Sequence, residues 1–243
     1  MIKNSKYFKI LNKPKNKKLR LFCFPYAGGA AAIYNTFVDN IGDDIELVAI
    51  QLPGRAELMF DELIKDMDKL INILYKHMSL SINEPYAFFG YSMGGAIAYA
   101  LTKKIEESSS NNPKFTIISA TKPPFMYNEY SNHTLSDEGL TDILRKHSAS
   151  PKEVLDSKDM MELLLPGIRA DYQLIETYKI QRSPNISTQV ILFNSEEDLE
   201  KEVMLTWKDY LKIEPKYIEF EGGHFFIHSQ LNMLIQEIKN LIN

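Results

Sequence analysis

The serine at position 92 has the surroundings of a nucleophile. A short apolar run at 86–89 is typical of a buried strand, and 96–101 has the composition of a helix. Between them lies Gly90-Tyr-Ser-Met-Gly94, a G-x-S-x-G sequence on a strand-to-helix turn, followed by a third glycine at Gly95. Such a turn leaves no room for side chains two residues before and two residues after the serine, and it holds the serine Oγ out of the sheet at a helix N-terminus. Although an incidental serine in a glycine-rich turn is the alternative, we predict that Ser92 is a nucleophile.

A nucleophilic serine needs a base within hydrogen-bond reach, and that base needs a carboxylate to fix its tautomer. Among the five histidines, His224 follows a predicted strand and a glycine pair, which places it at the same sheet edge as Ser92. We therefore predict His224 as the general base. The others precede the expected acid or lie on a helix, where surface or capping roles are common: His77, His133, His147 and His228.

Several carboxylates follow the next-to-last predicted strand and could supply the acid. A run of charges of this kind is usually a solvated loop, so at least three of the four have that role. Asp198 lies five residues beyond the strand end and 26 before His224, which gives it the most natural reach, and Glu197 is the alternative. The remaining members of the run are Glu196 and Glu200.

A second glycine-containing loop, Pro25-Tyr-Ala-Gly-Gly-Ala30, follows the first predicted strand. Alone it would be an ordinary strand-to-helix loop. Together with the serine turn, its glycine pair favours a backbone bend that points amides into the site. We predict that the N–H groups of Ala27 and Met93 stabilise an oxyanion.

Strands and helices alternate along most of the chain. This order predicts an α/β fold with a mostly parallel sheet and helices on both of its faces. The predicted strands are 19–24, 45–50, 86–89, 115–119, 188–193 and 216–220, and the predicted helices outside the insertion are 31–41, 61–78, 96–101, 201–211 and 225–242.

The alternation stops between 122 and 182, where only short helical patterns occur. We predict a helical lid there, inserted over the carboxyl edge of the sheet, where open α/β sheets bind ligands. Its candidate helices are 135–147, 151–155, 158–164 and 167–178. The predicted organisation is an N-terminal tail at 1–18, a core formed by 19–121 and 183–243, and the lid at 122–182.

Composition narrows the class of protein. The 243 residues suffice for one sizeable α/β domain, and the net charge of −4 argues against a nucleic-acid partner. The basic cluster at 13–18 is predicted to be a solvated tail, with docking to an acidic partner as the alternative. The single cysteine, Cys23, lies in an apolar run and is predicted to be buried and unreactive. No signal peptide or membrane span is indicated, so we expect a cytoplasmic protein. We expect a monomer because the sequence has no long exposed apolar stripe.

Five motifs together resemble one family, the type II thioesterases. These are discrete editing enzymes of non-ribosomal peptide and polyketide synthesis with the α/β-hydrolase fold. The similarity extends from about Leu19 to the C-terminus. The motifs are Phe24-Pro-Tyr-Ala-Gly-Gly29, Gln51-Leu-Pro-Gly-Arg55, Gly90-Tyr-Ser-Met-Gly-Gly95, Arg169-Ala-Asp171 and Gly222-Gly-His-Phe-Phe226.

This resemblance implies a Ser92–His224–Asp198 triad with the Ala27 and Met93 amides as its oxyanion hole. It also implies hydrolysis of acyl or aminoacyl thioesters on the phosphopantetheine arm of carrier proteins, which clears stalled or mis-primed units. No metal or cofactor is expected, because the phosphopantetheine belongs to the substrate.

The chain departs from the family pattern in two places. Tyr91 precedes the nucleophile where the family usually has histidine, and Asn194-Ser195 begins the acid loop where the family usually has glycines. One alternative function is a small-molecule carboxylesterase or lipase that uses the same triad. A non-catalytic binding protein of this fold is another, although it would predict loss of a triad residue, and all three are present. The chain length favours a free-standing enzyme over a terminal cyclising thioesterase fused behind a carrier domain.

Overall fold

The computed structural model of the chain describes residues 5–79, 84–109, 111–146 and 152–242. Within them, one sheet contains strands β1 (Phe8–Ile10), β2 (Leu19–Phe24), β3 (Ile45–Ile50), β4 (Tyr86–Tyr91), β5 (Thr116–Ser119), β6 (Val190–Asn194) and β7 (Lys216–Glu219). The strand order is β1-β3-β2-β4-β5-β6-β7, and all pairs are parallel except β1 with β3. The predicted mostly parallel sheet is confirmed.

Helices cover the sheet and fill the region between β5 and β6. The α-helices are α1 (Val38–Ile41), α2 (Met67–Ser79), α3 (Met93–Ser108), α4 (Asp137–Lys146), α5 (Lys152–Leu155), α6 (Lys158–Glu176), α7 (Lys201–Leu205), α8 (Phe226–Ser229) and α9 (Leu231–Asn240). Short 3-10 segments lie at Ala31–Phe37, Ala56–Leu58, Pro124–Glu129, Asn132–Thr134 and Thr206–Tyr210. None of the described helices has the length and apolar character needed to cross a bilayer.

Both faces of the sheet are buried, as a parallel sheet requires. Alternate residues of β4 point to opposite faces. Phe88 belongs to a cluster with Leu70 of α2 and Ile97 of α3, whereas Phe89 belongs to another with Leu234 of α9. Because each fully buried phenylalanine contributes about 1.5–3 kcal/mol, these two layers hold β4 at the centre of the core.

The glycines at the β4–α3 junction lie where a side chain would collide with backbone. A Cβ built on Gly90 would lie 2.1 Å from the Gly94 carbonyl oxygen, and one on Gly94 would lie 2.0 Å from the Phe24 carbonyl oxygen. A Cβ on Gly95 would lie 2.0 Å from the Thr121 hydroxyl oxygen. Helix α3 therefore starts in direct contact with the ends of β2 and β4, as the steric interpretation of the motif requires.

The N-terminal segment differs from the predicted tail. Strand β1 pairs antiparallel with β3, with Phe8 opposite Ile50. A strand of three residues carries too little alternation to be distinguished from a tail. The basic cluster that follows contacts acidic residues of the same chain, because Lys17 Nζ lies 2.6 Å from Glu84 Oε2 and Lys18 Nζ contacts Asp44.

Helix α6 is continuous, whereas the sequence predicts two helices, 158–164 and 167–178. The predicted break falls at Pro166, which lacks the N–H of a regular helix and crowds the preceding turn. Leu165 and Ile168, on either side of this proline, are both buried in one cluster with Leu140 and Leu144 of α4. We attribute the continuity to this shared burial. Helices α4 and α5 lie within the predicted 135–147 and 151–155, and residues 147–151, including His147, lie outside the described part of the chain.

Helix α2 begins later than predicted, at Met67 rather than 61. Asp66 Oδ1 accepts a hydrogen bond of 2.7 Å from the Lys69 N–H, the arrangement of an N-cap residue. Ile64, which continues the apolar pattern upstream, is buried in the preceding loop. The apolar pattern therefore extended the predicted helix past its cap.

Replacement of Gly94 by alanine tests the contact at the start of α3. We expect the free energy of unfolding to fall by about 3 kcal/mol or more, because the added methyl group collides with backbone that cannot rotate away. Gly139→Ala is the matched control. It lies inside α4 with its nearest contact at 3.4 Å, so it should be neutral or stabilising. Chemical denaturation of both variants measures the difference, and equal stability would contradict the packing described here.

Candidate active site

Ser92 occupies a strained position between β4 and α3. Its φ of 53° and ψ of −117° are unusual for a residue other than glycine. Two contacts hold the turn. The Ser92 N–H donates to the Ser119 carbonyl at 2.8 Å, and the Thr121 hydroxyl donates to the Ser92 carbonyl at 2.9 Å. The side chain is thereby presented at the carboxyl edge of the sheet, as predicted.

His224 lies between the serine and a carboxylate. Its Nε2 is 3.1 Å from Ser92 Oγ, and its Nδ1 is 2.9 Å from each carboxyl oxygen of Asp198. In this arrangement Nδ1–H donates to the carboxylate and leaves Nε2 free to accept the serine proton. The three side chains predicted from the sequence are thus brought together by loops after β4, β6 and β7.

The acid that contacts His224 is Asp198 rather than the alternative, Glu197. The loop after β6 turns back on itself, because the Asp198 and Leu199 N–H groups both donate to the Ser195 carbonyl at 3.0 Å. The Glu197 N–H lies 3.3 Å from Ser195 Oγ in the same turn. This turn orients Asp198 towards the histidine.

Asn194 and Ser195, one of the two departures from the family pattern, fasten the acid loop. The Asn194 side-chain amide donates to the Leu199 carbonyl at 2.6 Å. The Ser195 hydroxyl donates to the carbonyl of Gly222, two residues before His224. The Asn194 bond closes the acid loop, and the Ser195 bond connects it with the histidine loop, which the sequence did not reveal.

Tyr91, the other departure, holds the histidine loop through its side-chain hydroxyl. Its hydroxyl donates to the His224 carbonyl at 2.6 Å and accepts from the Ile227 N–H at 3.2 Å. Burial raises the pKa of Tyr91, so the hydroxyl keeps its proton and remains a donor. The residue before the nucleophile therefore fixes the backbone that carries the base.

The proposed oxyanion donors flank Ser92. Met93 is the first residue of α3, where helix N–H groups have no partner within the helix. Ala27 lies in the loop after β2, in a turn closed by the Gly29 N–H and the Tyr26 carbonyl at 2.9 Å. Both residues line the same cavity as Ser92 and His224.

This cavity has a volume of about 370 Å³, and it is lined by Ser92 and its neighbours together with residues of the described segments 122–146 and 152–182. Glu176 of α6 lines the cavity and accepts hydrogen bonds from the Asn132 and His133 N–H groups, both at 3.0 Å. These bonds hold the 3-10 segment Asn132–Thr134 against α6. The wall is mainly apolar. The residues of these segments that form its apolar part are Met126, Tyr127, Tyr130, Ile143, Leu144, Tyr172 and Ile175.

The other described histidines have partners outside the triad. His77 of α2 packs edge-on against Tyr7 and Phe8, and His133 Nδ1 lies 2.6 Å from Glu176. His228 Nε2 is 3.4 Å from the Tyr26 hydroxyl. In the described ranges, no group of three or more histidine, cysteine, aspartate or glutamate side chains is placed to hold a metal ion. Cys23 is buried, which raises the pKa of its thiol.

Replacement of Tyr91 by phenylalanine removes one hydroxyl and keeps the packed ring. We expect a loss of about 1–3 kcal/mol in the free energy of unfolding, because the His224 carbonyl and the Ile227 amide lose their partner. Any activity that depends on His224 should fall by roughly tenfold in kcat, since small displacements of a catalytic group are costly.

Tyr99→Phe is the control for this substitution. Tyr99 is also buried, and its hydroxyl accepts from the Asn185 side chain at 3.3 Å. This variant should lose stability without loss of kcat. If both variants lost kcat equally, the contact with His224 would have no special role.

Comparison with known proteins identifies the family of the chain. Residues 19–242 match the family model described as a thioesterase domain. The chain is 30% identical over 237 residues to the gramicidin S biosynthesis protein GrsT of Aneurinibacillus migulanus, a match that covers 96% of this chain and 92% of that protein.

Solved structures show the same fold. The type II thioesterase BorB from the borrelidin biosynthetic cluster superposes with a TM-score of 0.88 at 24% identity, and the match covers 98% of each chain. The RedJ thioesterase from the prodiginine pathway in Streptomyces coelicolor gives a TM-score of 0.86 at 25% identity, covering 95% of this chain and 93% of that one. The predicted α/β-hydrolase fold is confirmed, and the chain belongs to the thioesterase domain family.

Proposed function

We propose that this thioesterase hydrolyses acyl and aminoacyl thioesters on the phosphopantetheine arm of carrier proteins. Its role would be to clear stalled or mis-primed carriers of non-ribosomal peptide and polyketide synthesis in the cytoplasm. One observation carries the proposal, the hydrogen-bonded series Ser92–His224–Asp198 at the floor of a partly covered cavity. The names of its relatives, which refer to gramicidin S, borrelidin and prodiginine biosynthesis, support the choice of carrier.

The reaction proceeds in two acyl transfers. His224 Nε2 accepts the Ser92 proton as Oγ attacks the thioester carbonyl, and Asp198 stabilises the imidazolium through Nδ1. The amides of Ala27 and Met93 receive the negative charge that develops on the carbonyl oxygen. When the carbon–sulfur bond breaks, His224 Nε2 gives its proton to the sulfur, the thiol of the arm leaves, and an acyl ester remains on Ser92.

Water then completes the cycle. His224 accepts a proton from water as the oxygen attacks the acyl ester, and the acid departs while Ser92 regains its proton. Because a thiolate is a good leaving group, orientation and oxyanion stabilisation supply most of the rate enhancement. The acyl group occupies the apolar cavity, and the segment 122–182 acts as a lid over it.

The test is thiol release from a carrier protein loaded with an acetyl or aminoacyl group. We expect Ser92→Ala to lower the rate by about 10⁴-fold or more, because the covalent step is lost. The matched control is Ser119→Ala. The Ser119 hydroxyl is buried without a hydrogen-bond partner among the described residues, so its removal should preserve the rate.

Other outcomes assign the protein differently. If the wild-type enzyme released no thiol but hydrolysed simple esters, it would be a small-molecule esterase. If it acted on neither substrate, a binding role without turnover would replace the proposal.

A further inference from the structure

Two sequence motifs with no member in the proposed triad meet in one buried ion pair. Arg55 ends the Gln51–Arg55 motif, and Asp171 ends the Arg169–Asp171 motif on α6. Arg55 Nη1 lies 2.6 Å from Asp171 Oδ2, and Nη2 lies 2.7 Å from Oδ1. Both residues are buried, so this is a paired, bidentate contact away from water.

The pair also contacts the loop that carries Ala27. Asp171 Oδ2 accepts the Gly28 N–H at 2.7 Å, and Arg55 Nη1 lies 3.2 Å from the Gly29 carbonyl oxygen, to which it donates. The two residues that follow Ala27 are therefore each held by one member of the ion pair.

These contacts determine where the Ala27 N–H points. The Gly29 N–H donates to the Tyr26 carbonyl, and Gly28 adopts the positive φ of 78° that this turn uses. The Tyr26 carbonyl and the Ala27 N–H belong to one planar trans peptide and point in opposite directions. When the turn fixes this carbonyl, it fixes the direction of the Ala27 amide as well.

Helix α6 must be docked for this arrangement to exist. A Cβ on Gly28 would lie 3.1 Å from Ile168 Cγ1, and one on Gly167 would lie 3.2 Å from the Gly54 carbonyl oxygen. The helix thus lies directly against both loops. Asp171, one turn beyond Ile168, reaches Gly28 only because of this contact.

We propose that Arg55 and Asp171 are positioning residues that orient the Ala27 amide towards the oxyanion. The Ala27 amide then points towards the oxyanion only while α6 is packed against the loop that carries Ala27 and the loop that ends at Arg55. The inference rests on the proposed function, since it assigns Ala27 to that mechanism. A purely structural ion pair would instead affect the amount of folded enzyme and leave each active site unchanged.

The double variant Arg55→Met with Asp171→Leu separates the two roles. Because both buried charges are removed together, no unpaired charge remains in the interior, and we expect the double variant to fold. Active-site titration by the burst of an activated ester counts functional sites. We expect kcat per titrated site to fall by about 10- to 100-fold, and KM to change by less than about threefold. This decrease in kcat is somewhat smaller than the decrease caused by removal of a whole oxyanion donor.

A boronic acid, which forms a tetrahedral adduct when Ser92 Oγ bonds to its boron, provides the second readout. Its affinity should fall by the same factor as kcat/KM, because both depend on the oxyanion donors. Arg169→Met is the matched control. Arg169 lies on the same helix but donates to the His133 and Leu135 carbonyls and to Asp137, so its loss should leave kcat per site and inhibitor affinity within about twofold.

An unchanged kcat per site in the double variant would overturn the inference, and so would an equal loss in Arg169→Met. If the double variant did not fold, Asp171→Asn would replace it, with amide NMR as the readout. The Gly28 and Ala27 amide resonances should then move, and unmoved resonances would overturn the inference. If the wild-type enzyme itself gave neither a burst nor thiol release, the proposed function would fail, while the NMR measurement would still test the contact with Gly28.

Discussion

The close approach of α3 to the ends of β2 and β4 is the constraint on which the site depends. Gly90 and Gly94 lie where any side chain would overlap backbone, and Ser92 between them adopts a positive φ. Such strain persists only where surrounding structure determines it, and here the Ser119 carbonyl and the Thr121 hydroxyl do so. The result is a serine side chain that stands free of the sheet beside the first amide of a helix.

The other groups of the site lie at the same edge of the sheet as Ser92 because the strands that carry them are parallel. The loops after β2, β4, β6 and β7 all leave at their carboxyl ends, and side-chain hydrogen bonds fasten the loops that carry His224 and Ala27. Tyr91 and Ser195 hold the backbone near His224, and Asp171 holds the loop of Ala27. These contacts are hydrogen bonds of buried or partly buried groups, which are costly to break and therefore restrict the loops. The geometry is accordingly a property of the loop contacts as much as of the triad.

Most of the architecture and the main site residues could be predicted from the sequence. Strand β2 and the turn at Ser92 follow from apolar runs and glycines whose steric roles are local. Asp198 could be proposed from its distance along the chain to His224, but its choice over Glu197 depends on a turn formed by Ser195. The short strand β1 and the continuity of α6 through Pro166 were not predictable, because both depend on tertiary contacts. The contact between Asp171 and Gly28 joins residues 143 positions apart, so no local pattern could reveal it.

The central claim is that Ser92 carries the acyl group between the two transfers. The most direct measurement is rapid quenching of the enzyme during turnover of an acyl-loaded carrier in ¹⁸O-labelled water, followed by peptide mass spectrometry. We expect the acyl group on the peptide that contains Ser92, with its later release as an acid that holds one labelled oxygen. Thiol release without an adduct, or with the adduct on another residue, would contradict the mechanism.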